Sequence, residues 1–462
     1  MSAYNLSMEP VSVPSVKTKY RNIVTEIPNP VSLSVFEDLE KYECRSMHGQ
    51  LPVVWDKATG FQVFDASGNC WIDFTSTIFV ANAGHSHPHI IEELQKLLDT
   101  KLLHTYTFAN ESRSGFLKTL IDFCPDYLEK AFLMSSGTEA TECAMKLMRM
   151  NGLKRSSTKK ILISFKGSMH GRTMGAEMLK GDQKSAYWIT NFDPDIHHLP
   201  FPYPWSGEED NSNYDWADHF EKDISSLLSE NDLDAKDIAG FIIESYQGWG
   251  AIFYPKEYIQ SLVKFAKQND ALVVFDEIQS GIGRTGKRFA YEYYGVEPDL
   301  VCLGKGLSSS LPLSAVVGTS EIMDLPDIGS MSSTHSGNPL CCAAGKANLE
   351  VITSEDLISE SERKGYILHE KLNELQKKYP DRVSYIFGNG LVAGILLADP
   401  VSGAPDGDTA TKIAEKCMQK GLLVVHTGRE SIKLGPPLMI PDDALLEGLD
   451  VLFEAFSEVV DK

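Results

Sequence analysis

The apolar positions of this chain fall into short, unbroken runs separated by longer amphipathic segments. Residues 131–134, 161–165, 238–243, 271–275 and 300–303 are apolar without alternation, save Ser164. That pattern predicts strands buried on both faces, as in a parallel sheet. A helix is predicted over 141–150 and another from Pro88 over 90–98. Toward the C-terminus the chain predicts a long helix over about 355–378, strands at 383–387 and 392–397, a helix ending at Gly421, a strand at 422–425 and a terminal helix from Asp442. This alternation predicts a second, smaller α/β domain. Before the first run, a helix over 34–43 leads to a hairpin of 53–55 with 61–64, turning through 57–60, and then to a strand at 70–73. Pro10, Pro14, Pro28 and Pro30 predict an extended arm over 1–32, and the polar, acidic stretch 202–236 reads as a surface excursion.

Two strand ends then carry candidate chemistry. The run at 271–275 ends in Asp276-Glu277, and the run at 300–303 ends in Gly304-Lys305-Gly306. Ligands bind at the carboxyl ends of parallel strands, so Asp276 and Lys305 stand where one site can use both. Between them Gly281-Ile282-Gly283-Arg284-Thr285-Gly286 matches G-x-G-x-x-G. A dinucleotide fingerprint would follow its strand directly, and a P-loop would carry Ser or Thr after its lysine, where this chain has Arg288. Both nucleotide readings fail on context. A lysine for a Schiff base and an acid to keep a pyridine nitrogen protonated are instead what pyridoxal 5'-phosphate requires.

Composition narrows the picture. The 462 residues carry a formal net charge of −21, which argues against a nucleic-acid partner. Eight cysteines without C-x-x-C spacing predict buried thiols in a reducing compartment, hence a cytoplasmic protein. No apolar run approaches the length of a membrane span, and the first residues lack the apolar core of a secretory signal. His85 and His87 have no third ligand at zinc spacing, so no metal is expected. Ser135-Ser136-Gly137-Thr138-Glu139-Ala140 lies between a strand and a helix, where free backbone amides and the positive helix end suit a phosphate, or serve as a plain cap.

The wording Asp276-Glu277-Ile278-Gln279-Ser280-Gly281-Ile282-Gly283-Arg284-Thr285-Gly286, followed by Pro298-Asp299-Leu300 and Gly304-Lys305-Gly306-Leu307, resembles class III (fold-type I) aminotransferases. His170-Gly171-Arg172-Thr173, Gly84-His85-Ser86-His87-Pro88 and Thr334 through Pro339 extend the resemblance over nearly the whole chain after the arm. It implies a large doubly wound, mostly parallel domain over 81–340 and a small domain built from both chain ends, 33–80 and 341–462. It implies pyridoxal 5'-phosphate on Lys305, Asp276 at the pyridine nitrogen, Gln279 at the ring's phenolic oxygen, and Glu244 close to the cofactor. Ser136, Gly137, Thr138 and Thr334 of a second copy would hold the phosphate in a homodimer whose arm packs on its partner. Met169 and His170 would lie over the ring.

The resemblance further implies ping-pong transfer of an amino group from an amine or amino acid, with a terminal or non-α amine favoured, to an oxo acid, aldehyde or ketone. An amino-acid racemase or aminomutase on the same scaffold is the alternative. Several positions depart from the family. Met169 replaces an aromatic residue, Ser245 a proline, and Ser308-Ser309-Ser310 a glycine-rich turn. Trp249 stands where members acting on ω-amino acids carry a glutamate, and Lys433 where the family has the arginine that pairs with it to gate a substrate carboxylate. Ile78, Tyr106, Trp249, Lys433 and Arg429 are expected to shape the substrate side, with Lys433 or Arg429 meeting a carboxylate.

Overall fold

In the computed structural model, which describes residues 6–182, 184–206 and 214–461, the chain begins with a small sheet. Strands β1 (Val16–Lys17), β2 (Asn22–Ile23), β3 (Lys57–Thr59), β4 (Gln62–Phe64) and β5 (Cys70–Asp73) run in the order β1-β2-β5-β4-β3. Within its own chain the arm is hydrogen-bonded into this sheet, Val16–Lys17 with Asn22–Ile23 and Asn22 with Cys70. Ile23 and Ile27 are buried with Val63, Trp71, Met418 and Leu423. The hairpin differs from its prediction: the first strand is Lys57–Thr59, not 53–55, because the turn sits at Gly60, whose φ of 57° suits glycine.

The central sheet comprises β6 (Lys130–Met134), β7 (Ile161–Phe165), β8 (Ile196–Leu199), β9 (Ile238–Glu244), then, after a short hairpin of β10 (Tyr246–Gln247) and β11 (Ile252–Phe253), β12 (Leu272–Asp276), β13 (Leu300–Leu303) and β14 (Ser314–Gly318). Its order is β6-β14-β13-β12-β9-β7-β8, and only β14 runs antiparallel to its neighbours. Alternate side chains explain why the runs lack alternating polar positions, Ser164 of β7 being the one polar residue among them. Leu162, Ile242, Val274, Leu300 and Val316 face one way, packing with Ala140, Ala144, Leu147 and Met148 of the helix Gly137–Arg155. Phe241, Ile243, Val273, Phe275, Val301 and Leu303 join the larger core on the other face.

Register brings the functional ends together. Asp276 pairs with Glu244 on one side and Cys302 on the other, and Ser314 at the start of β14 pairs with Met134 at the end of β6. The excursion at 202–236 is corrected in part: its residues 207–213 lie outside the described residues, but a helix, Trp216–Glu230, follows them. Asp215 caps it by accepting from the Asp218 amide at 2.9 Å, and Phe220 and Ile224, one turn apart, are buried.

The chain closes with β15 (Val383–Asn389), β16 (Val392–Leu397), β17 (Leu422–Leu423), β18 (Val425–His426) and β19 (Ser431–Leu434). The strand expected at 422–425 is split. Leu422 pairs in parallel with Ile72 of the N-terminal sheet, whereas Val425 pairs with Lys433 in the sheet β15-β16-β19-β18. Val424 is the crossover, and the small domain is stitched from both chain ends there.

Candidate active site

Five strand ends supply the site. Asp276 closes β12, and its Oδ2 lies 2.8 Å from His170 Nδ1 while its Oδ1 accepts from the Ile278 amide at 3.0 Å. The other ring nitrogen of His170 meets Ser164 Oγ at 3.2 Å. His170, expected over a cofactor ring beside Met169, is therefore elsewhere: its side chain is fully buried behind Asp276, with both nitrogens engaged. Met169 is the exposed one of the two, and its amide donates to Glu244 Oε2 at 3.0 Å.

Glu244 closes β9 and also accepts from the Gly248 amide at 3.2 Å. Burial pushes its carboxyl up to about 7; Asp276 pushes the same way, while His170 and Lys433 pull it back. Lys305 follows β13 with φ of 42°, a left-handed backbone that a non-glycine residue adopts at a cost. Asn348 holds that turn. Its Nδ2 donates to Gly306 O at 2.9 Å and Leu307 O at 3.0 Å, and its Oδ1 accepts from Ser309 Oγ at 2.5 Å. Of the serines that replace the family's glycines, Ser308 and Ser310 bond within the turn, to Leu311 O and Ser308 O, and Ser309 bonds out to Asn348. Burial lowers the Lys305 ammonium from its usual range, against the pull of Asp276 and Glu244, and its side chain has no hydrogen-bond or ion-pair partner among the described residues.

Beyond β6, Ser136 precedes the helix Gly137–Arg155. Glu139 Oε2 accepts from the amides of Ser135 and Ser136 at 3.0 and 2.8 Å and from Ser136 Oγ at 3.1 Å. Thr138 Oγ1 meets Thr173 Oγ1 at 2.6 Å. Space here is tight: a Cβ on Gly137 would stand 3.0 Å from Ile278 Cδ1, and one on Gly171 would stand 2.2 Å from Thr138 Oγ1. Thr334 is exposed on another loop, where its carbonyl accepts from His104 Nε2 at 2.9 Å.

The substrate-side residues are distributed unevenly. Lys433 is not free to receive a carboxylate. It is buried, donates to Gln279 Oε1 at 2.8 Å and to Gly248 O, and lies 4.5 Å from the Phe79 ring centroid. Trp249 is half-buried, its Nε1 donates to Gln247 Oε1 at 2.8 Å, and the guanidinium of Arg429 lies 3.8 Å from its ring centroid. Arg429 is half-exposed and pairs with Glu430 at 3.3 Å. Tyr106 is exposed, its hydroxyl 3.2 Å from Ser332 Oγ. Ile78 belongs to a run of four non-glycine residues, Ser76 to Phe79, with φ of 44°, 52°, 61° and 68°. Sequence patterns give no sign of this turn.

Arg284 underlies that turn and was visible only as a letter in a glycine-rich motif. It is 0% exposed, and its guanidinium donates to Leu391 O, Pro436 O and Asn82 Oδ1 at 3.0, 2.5 and 2.7 Å. Glu277 is a second buried anchor, accepting from Ser245 Oγ, Ser280 Oγ and the amides of Ala290 and Tyr291. Ser245, in place of the family's proline, gives one of those bonds.

The aminotransferase class-III family pattern matches residues 44–456. A 4-aminobutyrate aminotransferase of Mycobacterium leprae is 32% identical over 94% of this chain and 97% of its own length. An isoleucine 2-epimerase of Lentilactobacillus buchneri is 32% identical over 92% of this chain and 94% of its own. The ornithine aminotransferase of Toxoplasma gondii, described with pyridoxal phosphate at its active site, superposes with a TM-score of 0.80 at 26% identity, covering 93% of this chain and 95% of that one. The chain belongs to the class III aminotransferases, the pyridoxal-phosphate-dependent transaminases.

Proposed function

We propose that pyridoxal 5'-phosphate lies over the carboxyl edge of the central sheet between Asp276 and Lys305, and that the enzyme takes the amino group of a terminal or non-α amine and passes it to an oxo acid, aldehyde or ketone. The observation that carries this reading is the Asp276–His170 pair at 2.8 Å, set beside the unpartnered amine of Lys305. The donor set fits the group: a pinned carboxylate for the ring nitrogen, a buried amine, and hydroxyls and amides at a helix N-terminus for the phosphate. When bound, the cofactor supplies an electron sink for the substrate carbon that loses a proton.

The chain's own residues do the rest. Asp276, oriented by His170 and the Ile278 amide, holds a proton on the ring nitrogen. Lys305, pushed toward its neutral form by burial, would move a proton between the substrate carbon and the cofactor. Gln279 donates to the ring's phenolic oxygen, Ser136, Gly137 and Thr138 hold the phosphate, and Met169 covers the ring face through its polarisable sulfur. Of the two cations near the gate, Arg429 is the one left to meet a substrate carboxylate, with Ile78, Tyr106 and Trp249 forming the remaining wall.

A homodimer is part of the proposal, with Thr334 reaching the phosphate of a second copy. In support, Leu103, Tyr106 and Phe108 are exposed beside the Ser332–Thr334 loop, an apolar surface that a partner would cover. A cytoplasmic location is supported by eight free cysteines, six of them buried. No helix among the described residues is long and apolar enough to cross a membrane.

The test loads the purified enzyme with pyridoxal phosphate and presents diamines, ω-amino acids, amino sugars and α-amino acids one at a time. A terminal amine is expected to bleach the cofactor's visible absorbance, and an oxo acid to restore it. Failure of every amine to bleach it would sink transamination, and sustained turnover of one amino acid without an acceptor would identify an isomerase.

A further inference from the structure

At the gate position the lysine's amine is already engaged by groups of its own chain. An ammonium offers three donors and no acceptor, so the Gln279 atom 2.8 Å from Lys433 Nζ is the amide oxygen. A second donor goes to Gly248 O, and the third lies against the face of Phe79, 4.5 Å from its centroid. Lys433 is 3% exposed, so a carboxylate would have to break one of these contacts in a site closed to water. With Oε1 engaged, Gln279 keeps Nε2 as its free group, and that group has no acceptor among the described residues.

We infer that Lys433 is a positioning residue for Gln279: it fixes the amide with its oxygen toward the small domain and its N–H donors left for the cofactor ring, and it does not bind the substrate carboxylate. This rests on the proposed placement of Gln279 at the ring's phenolic oxygen. The charged groups facing Lys433 are Lys305 and Arg284, which disfavour its charge, and Glu244, which favours it. Burial first, then Lys305, brings its ammonium down to about 7, and both its charged and its neutral forms can donate to Gln279. The substrate class narrows accordingly to amines whose far end is recognised by something other than Lys433.

The test compares holoenzymes of Lys433→Met, Gln279→Leu, the double variant and Lys433→Arg by pH titration of the bound cofactor's visible absorbance. It adds KM values for a matched pair of amines with and without a distal carboxylate. A donor to the ring oxygen competes with the proton held there, so losing it should raise the titration midpoint. Lys433→Met and Gln279→Leu should each raise it by about one unit, a tenfold change in proton affinity. The double variant should match Gln279→Leu alone, because the first change acts through the second. Both amines should change KM by the same factor, and Lys433→Arg, which keeps a donor, should hold the midpoint.

A selective rise of about tenfold in KM for the carboxylate-bearing amine in Lys433→Met, with the midpoint unmoved, would overturn the inference. So would a selective fall of that size in Lys433→Arg, which also serves if the methionine variant does not fold. If Gln279→Leu shifts the midpoint and Lys433→Met does not, the inference alone falls. If Gln279→Leu shifts nothing, the placement of Gln279 at the ring falls with it.

Discussion

Replacing Arg284 with methionine is expected to destabilise the fold by about 3 kcal/mol and to lower kcat/KM for the amine about tenfold, with cofactor retention nearly unchanged. The three short hydrogen bonds of the guanidinium, to Leu391 O, Pro436 O and Asn82 Oδ1, are together worth about 6 kcal/mol at roughly 2 kcal/mol for each bond from a charged donor. Against this, burial lowers the guanidinium from its ordinary value to about 10, a cost of about 3 kcal/mol. The difference is the expected loss. Four successive left-handed residues from Ser76 to Phe79 store about 4–8 kcal/mol at about 1–2 kcal/mol each. Arg284 meets this turn directly through Ser76 Oγ at 3.4 Å and the Phe79 ring, 5.5 Å from centroid to Cζ, beside the turn's own bonds from the Phe79 amide to Thr75 O and from Ser76 Oγ to Gly435 O. Without Arg284 the turn relaxes, and Ile78 leaves the substrate wall.

An unfolding entropy of about 2.1 cal/mol/K per residue, over a chain of this length, converts 3 kcal/mol into a fall of about 3 °C in the thermal midpoint. Scanning calorimetry reads that fall, and steady-state kinetics with the best amine reads the second effect. Lysine at the same position should do little better, because it cannot span the two carbonyls and Asn82 at once. A midpoint lowered by less than about 1 °C with kcat/KM unchanged would refute the reasoning.

Other expectations concern buried carboxyls. Glu244, raised from 4.5 to about 7 chiefly by burial, binds its proton more tightly in the folded state. Its contribution to stability is full below about pH 4.5 and is lost as pH rises through about 7. The apoenzyme should therefore lose about 3 kcal/mol over that window relative to Glu244→Gln, as read by urea unfolding at several pH values. Parallel curves for the two proteins would contradict this. Glu277→Ala strands two buried amides and should cost about 3 kcal/mol, whereas Glu277→Gln, which keeps one acceptor, should cost about half as much in the same assay. Equal losses would show that the amides find other partners.

The architecture was legible because strands buried on both faces lack alternation, and because Asp276 and Lys305 end two of them. The helix Trp216–Glu230 was harder to read: Trp216, Phe220, Ile224, Leu227 and Leu228 recur at helical spacing, but in an acidic, polar surrounding that reads as loop. The strand at 422–425 could not be seen to divide, because a hydrophobic run does not say which sheet each residue joins. At the site, residue type gave the chemistry and not the direction of side chains. His170 and Lys433 both carry the expected kind of group, yet one is sealed behind Asp276 and the other is bonded to Gln279. The left-handed turn over Ser76 to Phe79 leaves no mark at all, because one of the groups that meets it, Arg284, lies two hundred residues away in sequence.

The central claim is that Lys305 is the lysine that carries the cofactor. Borohydride reduction of the loaded enzyme, followed by proteolysis and mass spectrometry, locates the modified lysine directly. The account predicts the label on Lys305, with Lys433, the other buried amine of the site, unmodified. A label on Lys433, or on no lysine of the site, would contradict it.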